Sequence, residues 1–402
     1  MVFDSDIKIV IKKLKKFLNT ELGLIDGITI QRTRDIFSRH ILFTLSQMVC
    51  NGVGYQKAVT GMITKKYISK EICYKSINKK VLEGKYGELF SSLTHKLIQK
   101  FFYDDKKSER FFAVDGSKIN MSLKLKDQNF YTPGNGNYCQ GLLSTIYDIE
   151  SQFPYFYNLN SNLNERTAFY NQGLKITKNE CKDIFIFDRG YYSIDIVQKM
   201  KELNFDFIFR LKKSSKFVLF FDKNNTEDYL TTIDNSTIRI IKYRINLRNY
   251  YLITSLIDST KYTSENLKEL YHQRWSVEEY YKKIKQKLKC KTFHSNKLEG
   301  IKTEVAIQQF NMVLAQVFIK LLRKVPNVKI NHTITHDIII NDILPLLLFD
   351  KFENLYLREI TRLLGIVGKI KVTVRPNRKY ERSQRFSSNK FPNKKKKNIP
   401  NG

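Results

Sequence analysis

Through the first hundred residues apolar positions recur every three or four places. That spacing predicts helices over 5–19, 33–51, 68–79 and 84–101. In the last of these, Leu89, Leu93, Leu97 and Ile98 share a face, and Gly52 and Gly54 punctuate the end of the second. Near residue 110 the texture changes to short apolar runs. FFAVDGSKI (111–119), 137–149 and 153–159 read as strands, followed by a helix over 164–174. DIFIFD (183–188) is a compact strand, 190–203 a helix with Ser193 as N-cap, and 206–211 another strand. The order β-β-β-α-β-α-β predicts a mixed α/β sheet flanked by helices, and its last strands, joined through helices, run parallel. The segments 216–221, 237–245 and 249–257 read as three further strands, a β-rich insertion. Helices return over 264–290 and 298–324. In the latter, Ile307, Phe310, Leu314, Phe318 and Leu321 form a core stripe. The run 337–349 reads as a buried helix kinked or broken at Pro345.

These elements divide the chain into a helical region over 1–105, a core over 106–212 and 263–325, the insertion over 213–262, C-terminal helices over 326–376 and a basic tail over 377–402. The helical region is expected either to bind DNA or to pack as a layer on the core. No apolar run approaches the length of a spanning helix, and lysines interrupt the first residues before a signal-peptide core forms.

Charge sharpens the picture. Seventy Lys and Arg face 39 acids, a formal net charge of +31. Such a chain repels itself unless an anion screens it, and nucleic acid is the leading partner. Apolar residues reach 42%, enough for a large core rather than disorder. The five cysteines are scattered and form no Cys-x-x-Cys pair, which argues against a disulfide framework or thiolate zinc site and fits a reducing, intracellular setting. No phosphate-binding loop or dinucleotide fingerprint occurs. His332 and His336, four apart without an accompanying glutamate motif, read as surface or capping residues.

Three acids have unusual settings. Asp115 and Asp188 each end an apolar strand, and Glu278 lies in a helix rich in aromatic and basic residues. Singly, each has a plain structural reading: an Asp before Gly forms turns, and a Glu among lysines joins a solvated ion-pair face. Together, two strand-end aspartates and a helix glutamate can converge into an oxygen-only cluster, one that favours Mg²⁺ or Mn²⁺ over zinc. At about 100° per residue, Tyr271, Arg274, Glu278 and Lys285 fall within about 60° of one helix face, and Glu279 points about 80° away. One face therefore offers a candidate metal ligand beside two cations and a phenol, a phosphate-gripping surface.

On these residues the chain resembles the DDE transposases of the IS4 group, relatives of the Tn5 transposase. That family carries Tyr-x2-Arg-x3-Glu-x6-Lys, supplied here by Tyr271, Arg274, Glu278 and Lys285. Its first aspartate precedes Gly or a small residue, as in Asp115-Gly116-Ser117, and its second lies in Asp-Arg-Gly-Tyr, as at 188–191. The resemblance covers about 105–325. It implies an RNase H-like catalytic core with the β-rich insertion, and DNA cleavage at element ends followed by strand transfer with Mg²⁺. Asp115, Asp188 and Glu278 would hold two ions per site, Mn²⁺ substituting. Arg274, Lys285 and Tyr271 would meet the DNA near the scissile phosphate, Lys282 and Lys289 would extend the basic face, and Arg189 would serve structure or a phosphate. Partners implied are double-stranded DNA and a second copy in a synaptic dimer, without a membrane. Some relatives stack a Trp of the insertion on a flipped base. The single Trp here, Trp275, lies elsewhere, and an aromatic such as Tyr243, Tyr250 or Tyr251 could substitute. The competing functions are a metal-dependent nuclease or resolvase without strand transfer and a transposase-derived DNA-binding protein. The tail run Lys394–Lys397 suits loose phosphate contact or nuclear import.

Overall fold

The computed structural model describes residues 2–30, 36–64, 74–103, 108–134, 137–171, 181–224, 226–233, 236–245, 247–282, 284, 293–323 and 330–370. Lys285, Lys289, the end of the 264–290 helix and the basic tail lie outside the described residues. The chain forms two compact units. One comprises 1–100, 120–139 and 284–402, the other 101–119 and 140–283.

The second unit is built on strands β1 (Glu109–Ser122), β2 (Tyr138–Asp148), β3 (Phe153–Asn160), β4 (Lys182–Phe187), β5 (Asp206–Arg210), β6 (Asp228–Ile233), β7 (Ser236–Ile245) and β8 (Arg248–Thr254). They form one eight-stranded sheet in the order β3-β2-β1-β4-β5-β8-β7-β6. Its centre is parallel: β4 pairs with β1 on one side and β5 on the other. Parallel strands buried on both faces need unbroken apolar runs, which the segments FFAV, IFIF and FIF provide. Phe187 and Phe209 stack across β4 and β5 with centroids 4.4 Å apart. The helix α7 (Ile194–Glu202) follows β4 and precedes β5, and the Ser193 hydroxyl accepts from the Ile196 N–H at 3.3 Å, as the N-cap reading expects.

The β-rich stretch departs from its expected layout. Residues 216–221 were expected as a strand but lie in a helix, Lys216–Asn224. Short apolar runs do not distinguish the two by composition. Here Phe217 and Val218 are buried while Leu219 and Phe220 are exposed, a two-sided pattern spread around a helix. The polar-looking DYLTTI supplies the unexpected strand β6 instead. β8 pairs antiparallel with β5, so these strands prolong the central sheet.

The other unit is helical. Beyond the expected elements it holds a helix at Tyr55–Thr64, and its first helix runs the full Val2–Thr29. The helix Leu298–Leu322 is enclosed on nearly every side, with Glu304, Gln308, Gln309, Asn311 and Gln316 among its buried residues. Contrary to the sequence reading it is long and apolar enough to span a membrane, and 89% of its most apolar window is buried within the fold. The expected break near Pro345 occurs as a π turn over Ile339–Ile343 between helices His332–Ile338 and Leu344–Phe349. Lys15 donates to the carbonyls of Leu346 and Leu347 at 3.1 and 2.8 Å, capping the last of these. His336 is not a surface residue. It is buried, with Nδ1 3.7 Å from the Cys50 sulfur.

One buried ion pair ties the sheet together beneath the site. Arg110 and Asp183 are register partners on β1 and β4, both side chains 2% exposed, joined by two hydrogen bonds of 2.6 Å. The guanidinium also lies over the Tyr103 ring at 4.4 Å. Removing one member strands the other charge, so Arg110→Met should lower the unfolding free energy by about 3–5 kcal/mol. Adding Asp183→Leu should recover most of that loss. Urea denaturation of both variants measures it.

Candidate active site

β1 does not stop at Asp115, as the sequence suggested. The strand continues to Ser122, but its pairing with β4 ends at Val114–Phe187. Asp115 and Asp188 are thus the next residues on two adjacent parallel strands, at their carboxyl ends. The Asp188 carbonyl accepts from the Tyr191 N–H at 3.1 Å, closing a turn through Arg189 and Gly190. Tyr191 tucks its ring against Phe187 beneath this turn and is fully buried.

The expected single helix over 264–290 is divided into α9 (Ser264–Gln273) and α10 (Trp275–Lys282), with Arg274 between them. Thr263 caps α9 through the Asn266 N–H. At the junction the N–H groups of Arg274 and Val277 bond three residues back, at 3.2 Å each, so the turn tightens without leaving right-handed backbone. The hydroxyl of Tyr281 lies 3.0 Å from the carbonyl of Asp115 and 2.9 Å from that of Leu143. This contact fixes α10 against β1 and β2, and with it the position of Glu278.

The Tyr271 hydroxyl donates to Asp188 Oδ1 at 3.3 Å, and Arg274 donates to Glu278 Oε1 at 2.7 Å. Arg274 is only 8% exposed, and its Nε is buried without a hydrogen-bond partner. Burial works against its charge, but Tyr271, Glu278, Asp188 and Asp115 together outweigh that and raise its pKa. Burial drives Asp115 up to about 7; Glu165 and Glu278 push the same way, against Arg274 and the Gly116 N–H. Glu279 is exposed and paired with Lys282, so its carboxylate is engaged away from the cluster and Lys282 is not a bare cation.

Glu165 was missed by the sequence reading. It opens the helix α6 (Glu165–Asn171), whose cap is Asn164, accepting from the N–H groups of Arg166 and Thr167. Phe169 of α6 packs edge-on against Phe187 at 5.0 Å. Burial, then the charge of Asp188, raise the Glu165 pKa, with Lys118 and Arg274 opposing. In sequence it looks like any acid in a helix first turn, so no local signal marks it.

Beside the acids opens a cleft of about 810 Å³, whose lining includes Asp188, Arg189, Arg210, Tyr243, Arg244 and Tyr250 along with Tyr271, Arg274 and Glu278. Tyr243 and Tyr250 stack with centroids 5.5 Å apart and 21° between planes, and Arg210 lies over Tyr250 at 4.8 Å. Tyr251, an alternative stacking candidate in sequence, is 4% exposed and faces the core. Arg189 is exposed at the rim.

The raised pKa of Asp115 has a direct consequence for stability. The folded state holds that proton up to about pH 7, whereas an unfolded aspartate releases it near 3.8. Between those values folding binds the proton, so without divalent cations this group loses stability as pH rises from about 4 to 7. Asp115→Asn should therefore melt at higher temperature than the parent in EDTA at pH 8, with the gain fading toward pH 4. Thermal unfolding across that range measures it.

Residues 106–314, just over half of the chain, match the family described as transposase DDE domain. A search of curated proteins finds no match. Among solved structures the chain is similar to the piggyBac transposase in a synaptic complex with hairpin DNA, at 10% identity and a TM-score of 0.49, covering 91% of this chain and 83% of that one. Asp115, Asp188 and Glu278 all lie inside the matched segment, and by that match the chain belongs to the transposase DDE domain family.

Proposed function

We propose that this protein is a transposase of the IS4 group, related to the Tn5 transposase, that cuts DNA at the ends of a mobile element and joins the freed 3′-hydroxyl to target DNA. The observation that carries this reading is the junction at 271–278. There Tyr271 and Arg274 bond the acids of the cluster and at the same time line the cationic cleft.

Asp115, Asp188 and Glu278 are assigned as the residues that hold divalent cations, Mg²⁺ with Mn²⁺ as substitute, two to a site. The donor set fits hard cations because it consists of carboxylate oxygens. Asp115 supports the fit: burial and neighbouring acids keep it protonated up to about pH 7, a proton that a bound cation would displace. When bound, such ions activate the attacking oxygen and stabilise the leaving oxygen.

The chain's own side chains bind and orient the DNA. Arg274 grips the phosphate beside the scissile bond, and the Tyr271 hydroxyl holds Asp188 in orientation. Arg189, Arg210 and Arg244 follow the sugar-phosphate backbone along the cleft. Lys282, Lys285 and Lys289 extend that track. The stacked pair Tyr243 and Tyr250 offers a platform for an unstacked base. Two copies pair two element ends, and the protein works on intracellular DNA without a membrane partner.

Glu278→Gln should reduce Mg²⁺-dependent nicking of end DNA by roughly 100-fold or more while DNA affinity stays within a few fold. Glu279→Gln should leave nicking nearly unchanged. Strand transfer is tested with precleaved ends bearing a 3′-hydroxyl and a plasmid target. Covalently joined products are expected, and Arg274→Ala should reduce them more than it reduces nonspecific binding. Efficient cutting with no joined product on any target would instead identify a nuclease or resolvase.

A further inference from the structure

The three acids of the family signature do not account for all the carboxylates gathered at the strand ends. Glu165 reaches the same place from α6, and Gly116 makes room for it. A methyl group at residue 116 would stand 2.8 Å from Glu165 Cγ and 3.2 Å from its carboxyl carbon, inside contact distance. The glycine after Asp115 thus lets the Glu165 side chain lie directly against β1. A Cβ at Gly190, two residues after Asp188, would find Glu165 Oε2 as its neighbour at 4.0 Å. Glu165 therefore lies between the backbones that carry both aspartates.

A second observation points to an occupant. The hydroxyl of Tyr191 is buried without a hydrogen-bond partner, on a side chain with no exposed surface. The charged groups that act on it most strongly are Glu165 and then Asp115. A buried hydroxyl that has given up water without gaining a partner is destabilising. A fold that keeps one beside two carboxylates is complete only when something else rearranges them. Arg274, whose Nε is likewise buried and unpaired, shows the same unfinished arrangement.

We infer that Glu165 is a fourth carboxylate of the cation-holding cluster, drawn onto the cations together with Asp115 and Asp188 and supported there by the Tyr191 hydroxyl. Four carboxylates balance two divalent cations charge for charge, whereas three leave a net positive centre. The balance frees Arg274 to leave Glu278 for a DNA phosphate. This inference rests on the proposed metal-dependent function and adds a residue to it.

The test is Mn²⁺ binding to the full-length protein, followed by calorimetry and by the rise in melting temperature that Mn²⁺ produces. Asp188→Asn reports on the proposed site itself, Glu165→Gln on the inference. Glu165→Gln should weaken Mn²⁺ binding tenfold or more, because ligand charge count sets affinity at such sites. In EDTA the same variant should melt no lower than the parent, since it removes a repelling charge. A purely structural glutamate would instead lower the metal-free melting temperature and leave Mn²⁺ affinity intact. Tyr191→Phe, which keeps the buried ring, should weaken Mn²⁺ binding by a few fold. If Asp188→Asn loses Mn²⁺ and Glu165→Gln binds it as the parent does, the inference is overturned and the functional reading stands. If neither variant loses Mn²⁺, both fall.

Discussion

Arg274 is the group on which the geometry at the strand ends depends. A cluster of carboxylates drawn out of water repels itself, and burial makes that repulsion costlier. A guanidinium placed among them, 8% exposed and bonded to Glu278, offsets much of it. The compensation is incomplete, because Asp115 still keeps a proton up to about pH 7. The metal-free protein therefore carries one positive side chain and one proton where, in the proposed function, two divalent cations reside.

The scaffold explains why these groups stay close despite repelling one another. Parallel strands β1 and β4 end side by side, locked by the buried Arg110–Asp183 pair at their other end. Aromatic packing of Phe169 and Tyr191 against Phe187 holds α6 and the 188–191 turn above the strand ends. Tyr281 fastens α10 to the carbonyls of Asp115 and Leu143. Rigid elements on every side position the acids, and the flanking cleft brings cations and aromatic rings of β7 and β8 to the same edge.

Much of this was legible in the sequence because the parallel core speaks through unbroken apolar runs, and FFAV and IFIF each lead straight into an aspartate. The sequence spacing of Tyr271, Arg274 and Glu278 assumed one continuous helix, which the structure divides at Arg274, yet Arg274 still bonds Glu278 four residues on and Tyr271 bonds Asp188. Other features were not legible. The helix at 216–224 was misread as a strand because a six-residue apolar run lacks a decisive period. The strand β6 was hidden by its polar, half-exposed pattern at the sheet edge. Glu165 was invisible because its importance comes from tertiary approach across a glycine, and nothing in Asn-Glu-Arg-Thr differs from an ordinary helix start.

The central claim is that the acids at the strand ends form a cation site facing DNA. The most direct measurement is anomalous scattering from Mn²⁺ in crystals of the protein with its end DNA. The account predicts two peaks about 4 Å apart, contacted by Asp115, Asp188 and Glu278, with Arg274 turned toward a phosphate. Manganese bound elsewhere, or Arg274 still lodged among the acids with the DNA in place, would contradict it.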